Sequence, residues 1–116
     1  MKKVALTFLV CIIFSCEAVF LEDISNDSII LLAPTNNSEI TAGNNTFSWQ
    51  LLDEAEMYQV QIAHPTFQNA HQILLDTVVN SNSLVQNMEV GEYQWRVKAV
   101  NSEYETEYSM ASFTVN

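Results

Sequence analysis

Tyr93-Gln94-Trp95-Arg96-Val97-Lys98-Ala99 alternates without a break. Its odd positions carry Tyr93, Trp95, Val97 and Ala99; its even positions carry Gln94, Arg96 and Lys98. Successive side chains of a strand point to opposite faces, so this run reads as a strand with one face in a core and the other in water. A helix of 3.6 residues per turn would scatter the same apolar set around its circumference. The period of two extends in both directions. Upstream, Tyr58-Gln59-Val60-Gln61-Ile62 alternates apolar and amide side chains, and Thr46-Phe47-Ser48-Trp49-Gln50-Leu51 places Phe47, Trp49 and Leu51 on one face. Downstream, the run from Tyr108 to Val115 sets Ala111, Phe113 and Val115 on one side. Three further β-rich runs are Ile29–Ala33, stopped by Pro34 and the turn-rich Thr35-Asn36-Asn37-Ser38, then Gln72–Val79, then the short Ser83–Gln86.

Seven short strands at roughly ten-residue spacing, separated by Asn, Ser and Gly turns, predict an all-β fold, a seven-stranded antiparallel sandwich. Asp53-Glu54-Ala55-Glu56 has room for one helical turn, but the stretch Leu52–Tyr58 reads as a loop between the second and third strands. The chain has 116 residues, 48% of them hydrophobic, enough for one domain with a core of its own. Trp49 and Trp95 are its largest expected contributors, with Tyr58, Val60, Ile62, Tyr93, Val97 and Phe113 around them.

The first fifteen residues are an address. Met1-Lys2-Lys3 precedes an uncharged run from Val4 to Phe14, the pattern of a secretory signal peptide. At 1.5 Å per residue that run covers roughly half of a 30 Å hydrocarbon core, too little to span it as a helix. Ile13-Phe14-Ser15-Cys16 then resembles a bacterial lipobox, with an aliphatic residue three before the Cys and a small one just before it. The resemblance implies cleavage after residue 15 and lipidation of Cys16, with several acyl chains supplying the multiple anchors that stable attachment requires. Loss of Lys2 and Lys3 with the signal takes the net charge from −10 to −12 and leaves Arg96 and Lys98 as the only strong bases. Residues 16–28 are polar and acidic, with no sustained helical period, and read as a spacer reaching up to about 40 Å when fully extended. Its early acids, Glu17 and Glu22-Asp23, resemble the surface-export signals of Bacteroidota lipoproteins. The expected location is therefore a bacterial outer membrane, lipid-anchored and surface-exposed, or otherwise facing the periplasm.

Residues Phe47 to Asn101 resemble fibronectin type III domains, the bacterial ones especially. The residues that carry the resemblance are Trp49 on the second strand, Tyr58-Gln59-Val60-Gln61-Ile62 on the third, and Gly91-Glu92-Tyr93 leading into Trp95-Arg96-Val97-Lys98-Ala99-Val100-Asn101 on the sixth. Leu31-Leu32-Ala33-Pro34 and the closing Tyr108…Phe113-Thr114-Val115 are similar to the family's ends, so the likeness covers residues 29–116. It implies an immunoglobulin-like sandwich and a non-catalytic module. Tyr93, two residues after Gly91, also suits a tyrosine corner, in which the hydroxyl bonds to backbone just upstream and pins the strand crossover.

The remaining residue patterns offer little chemistry. His64 and His71 flank Pro65–Ala70 with no nearby Cys and no HExxH, so they form no zinc signature and read as exposed loop side chains. Gly43 and Gly91 are the only glycines, too few for a phosphate-cradling loop, and there is no G-x-S-x-G elbow. Fourteen acids against four bases exclude nucleic acid, whose phosphates need a basic patch. Glu103, Glu105 and Glu107 alternate along the last hairpin, where Ca²⁺ would need the missing D-x-D-x-D-G loop; they read as a solvated acidic edge. No metal, no cofactor and no catalysis are expected. Tyr104 and Tyr108 are the candidate binding pair, since tyrosines on a loop at the end of a sandwich stack on sugar rings or anchor a protein partner. Two roles follow: a lipid-anchored interaction or spacer module, or alternatively a carbohydrate-binding accessory lipoprotein of a glycan-uptake system.

Overall fold

The computed structural model describes residues 22–116. The expected signal peptide, the expected lipidation site Cys16 and the start of the expected spacer lie outside them. Eight strands are described: β1 (Leu31–Ala33), β2 (Ser38–Ile40), β3 (Gly43–Trp49), β4 (Met57–His64), β5 (Gln72–Val79), β6 (Ser83–Met88), β7 (Gly91–Val100) and β8 (Ser109–Val115). They form a two-sheet sandwich, with β1-β3-β6 in one sheet and β2-β8-β7-β4-β5 in the other. All pairings are antiparallel except β2 with β8.

The longest strand, β7, is the alternating run itself, and it sits in the middle of the larger sheet. Val97 faces Val60 on β4, and Trp95 faces Ile62 on one side and Ala111 on β8 on the other. Its inward residues meet Phe47 and Trp49 of the opposite sheet. Phe47 stands edge-on to Trp95 at 5.1 Å and to Phe113 at 5.6 Å, and the Trp49 and Trp95 rings are 6.3 Å apart. Such edge-to-face contacts fit the aromatic quadrupole and add to the energy of burial alone. Trp49, Trp95, Phe47, Val60, Ile62 and Val97 are fully buried, and Tyr58, Tyr93 and Phe113 nearly so.

Buried aromatics with polar atoms need partners. The indole N–H of Trp95 donates to the Pro34 carbonyl at 3.0 Å, and the Tyr58 hydroxyl accepts from the Leu52 N–H at 2.9 Å. Tyr93 donates to the Glu89 carbonyl at 2.9 Å, across the turn that enters β7. Gly91 makes that turn passable. Its φ is +155°, where a side chain is strained, and a Cβ there would lie 3.3 Å from the His64 ring and 3.4 Å from that of Tyr93. The buried Trp49 N–H, by contrast, has no partner among the described residues.

Three expectations are corrected. The strand count is eight, because Ser38–Ile40, partly assigned to a turn, adds to β8 as a short parallel edge strand. Three residues are too few to show a period in sequence. Leu51 does not share the inward face of Phe47 and Trp49: β3 ends at Trp49, the Gln50 N–H turns to the Ile30 carbonyl at 2.9 Å, and Leu51 is left 66% exposed. The third concerns the spacer. Ile24 is fully buried, and the Glu22 carbonyl accepts from the Asn101 side chain at 3.2 Å, so the described part of the spacer touches the domain at Glu22 and Ile24, its other residues staying exposed. One Ile buried this way is worth about 1.5–3 kcal/mol, enough to hold a short segment down.

The registers define two poles. Met57 lies opposite Val100, and Tyr58 opposite Val79, so the loop 50–56, the turn 80–82 and the loop 101–108 share one end with the N-terminal segment. Gly43 lies opposite Met88 and Gly91 opposite Val115, so the connections 41–42, 65–71 and 89–90 gather at the other.

Candidate functional site

The outward positions of β7 are Gln94, Arg96 and Lys98, all half-buried. Arg96 is the centre of the arrangement. Its guanidinium carbon lies 4.0 Å from the centroid of the Phe67 ring and 4.1 Å from that of Tyr108, and its Nε donates to Gln61 Oε1 at 2.8 Å. Lys98 lies 5.0 Å from the same Tyr108 ring and pairs with Glu105 at 2.9 Å. A planar, weakly hydrated guanidinium stacks well on aromatic faces, and here two half-buried rings lie against it. The two strong bases of the described chain are thus both committed to Tyr108.

Beside them, Gln59 donates to Asp76 at 3.0 Å across β4 and β5. This hydrogen bond, with a second from Gln61 and the charge of Arg96, holds the Asp76 carboxyl below its ordinary pKa. Two shallow hollows open on this side. One of about 560 Å³ is lined by Ser25, Lys98, Glu105 and Tyr108, and one of about 500 Å³ by Phe67, Arg96 and Met110.

Tyr104 and Tyr108, the candidate binding pair, differ in their surroundings. Tyr104 is half-buried against the core, its N–H held by the Asn101 side-chain oxygen at 2.9 Å. Tyr108 is half-buried, with Arg96 and Lys98 against its ring. Asn101, which sequence reasoning passed over, organises the loop. Its oxygen accepts from the N–H groups of Glu103 and Tyr104, and its amide nitrogen donates to the carbonyls of Glu22 and Glu54. Phe67 was likewise missed, because it falls in a loop between two histidines. His64 is the last residue of β4, not a loop side chain. It packs on Tyr93 at 5.1 Å between ring centroids, and its Nδ1 donates to the Glu92 carbonyl at 2.7 Å. The His71 ring is 6.3 Å from it, and among the described residues no three His, Cys, Asp or Glu side chains converge as a metal would require.

No protein-family model matches the sequence, and no curated protein matches it. Solved structures do. A fibronectin type III domain derived from the human KIAA0970 protein superposes with a TM-score of 0.56 at 14% identity, over 76% of this chain and 72% of that one. The crystal structure of FN3tt gives 0.54 at 13% identity, over 76% and 95%. The Clostridium thermocellum CbhA fibronectin(III)-like modules give 0.50 at 14%, over 75% and 93%. The fold is fibronectin type III-like. At these identities the likeness lies in the fold alone. In this fibronectin type III-like domain the packed Trp49, Trp95 and Phe47 fill the space between the sheets.

Proposed function

We propose that this chain is a non-catalytic lipoprotein of the bacterial cell envelope, of the Bacteroidota type, that displays its fibronectin type III-like sandwich as an interaction or spacer module. The domain is anchored through lipid on Cys16 and stands on the outer surface of the outer membrane. The observation that carries the module reading is the closed core: the aromatic side chains interlock between the sheets, and the hollows that remain are shallow and on the outside. A general acid or a buried nucleophile needs an enclosed, partly desolvated site, which such a surface does not supply. The anchor is supported by Lys2-Lys3, the apolar run and Ile13-Phe14-Ser15-Cys16.

Intact mass of the membrane-extracted protein tests the anchor, and protease shaving of whole cells tests its side. A chain that starts at Cys16 and carries acyl chains, with the domain lost on shaving, is the expected outcome. An unmodified soluble chain would refute the anchor; an acylated chain protected from shaving would place the domain in the periplasm instead.

A further inference from the structure

Building on the lipid-anchored reading, we infer that the domain is held with one pole against the bilayer, the pole of the loops 50–56 and 101–108, and presents the opposite pole outward. Two observations fix the polarity. Ile24 is fully buried in the core, and the Glu22 carbonyl is held by Asn101, which also holds the Glu54 carbonyl and the Glu103 and Tyr104 N–H groups. The chain therefore joins the folded body at residue 22, beside those two loops, and not at residue 29. Only residues 17–21 separate that attachment from Cys16, a reach of about 20 Å even when fully extended, half of what a free spacer through residue 28 allows. The strand β7, ten residues long, spans about 33 Å from this pole to the other. The tether is thus shorter than the domain.

The side chains at this pole suit the arrangement. Ile30 and Leu51 are 56% and 66% exposed, and the Gln50 N–H to Ile30 carbonyl bond joins their segments. Apolar side chains on the surface nearest a lipid anchor gain by entering the interface, at roughly 25 cal/mol per Å² removed from water. Asp53, Glu54 and Glu103 on the same pole oppose close approach to anionic lipid, so contact is strongest on a zwitterionic surface. One consequence bears on ligand choice. The Tyr104 loop faces the bilayer, and a large partner meets the connections 65–71 and 89–90 first.

The test uses the full chain, processed in cells and reconstituted into phosphatidylcholine nanodiscs containing a headgroup nitroxide lipid. Acylation consumes the Cys16 sulfur, and Cys11 leaves with the signal, so one introduced thiol takes the fluorophore. Ser102→Cys labels the inferred bilayer-facing pole and Asn69→Cys the outer one; both positions are exposed. Quenching is expected to be several-fold stronger at residue 102 than at residue 69, and a flexible twenty-residue insert between residues 21 and 22 is expected to collapse the difference. Equal quenching, or stronger quenching at residue 69, in an acylated protein overturns the orientation and leaves the anchor standing. A contrast that survives the insert overturns the short tether as its cause. An unacylated mass with no nanodisc binding overturns the anchor and the orientation together.

Discussion

The two core tryptophans differ in one hydrogen bond, and that difference predicts unequal responses to the same substitution. Trp95→Phe and Trp49→Phe each remove roughly 40 Å³ of ring from a fully buried site, about 1 kcal/mol at ~24 cal/mol per Å³ of residual cavity. Trp95→Phe also strands the Pro34 carbonyl, which now accepts from the indole at 3.0 Å, and an unsatisfied buried acceptor costs about 1–3 kcal/mol more. Trp49→Phe deletes an N–H that has no partner, so relief of about 1–3 kcal/mol offsets its cavity. The expected result is a loss of about 2–4 kcal/mol for Trp95→Phe and, for Trp49→Phe, between no change and a gain of about 2 kcal/mol. For a domain of this size 1 kcal/mol moves the midpoint by about 4–8 °C, so the two variants separate by roughly 8 °C or more. Thermal and urea unfolding followed by far-UV circular dichroism measure both. Equal losses, or a larger loss for Trp49→Phe, would refute the hydrogen-bond argument. Truncation to Ala at either position removes the whole indole and is expected to cost about 3–5 kcal/mol, comparable with the whole stability of a small domain.

Three further outcomes are expected. Ile24→Ala should destabilise the domain by about 2–4 kcal/mol in urea unfolding, whereas a segment that served only as a spacer would give no change. Tyr93→Phe should cost about 1 kcal/mol through loss of the bond to Glu89, and it should also flatten the alkaline limb of stability. Burial first, and then the Glu89 charge, raise the Tyr93 pKa above 10.0, so its contribution is complete below that value and is lost as pH rises through the folded pKa. Finally, polysaccharide-gel retardation that is abolished by Tyr104→Ala/Tyr108→Ala would restore the glycan-binding alternative. A module without glycan affinity gives no retardation in the unmodified protein.

Much of the sandwich was legible in the chain because strands declare themselves locally. Tyr93–Ala99 and Tyr58–Ile62 alternate over enough residues for a period of two to stand out, and their inward residues are those in the core. Where the period is short or interrupted, the reading stops. The three-residue β2 has no measurable pattern, and Leu51 continues the alternation on paper although the strand has already ended.

The candidate site was legible only in part. Alternation placed Arg96 and Lys98 outside, but it gave no sign that Phe67 and Tyr108, from different loops, would close over Arg96. Nor did it mark Asn101, one amide among many in turn-rich sequence, as the residue that joins the N-terminal segment to two loops.

By itself, then, the sequence determined the acidity and the β-periodicity and raised the expectation of an export signal and anchor, because each depends on neighbours in the chain. Only the tertiary structure decided that Ile24 belongs to the core, that Tyr108 lies against Arg96 and Lys98, and which pole the segment from Glu22 joins. Those facts depend on which distant segments a two-sheet sandwich brings within contact, and no local pattern encodes that.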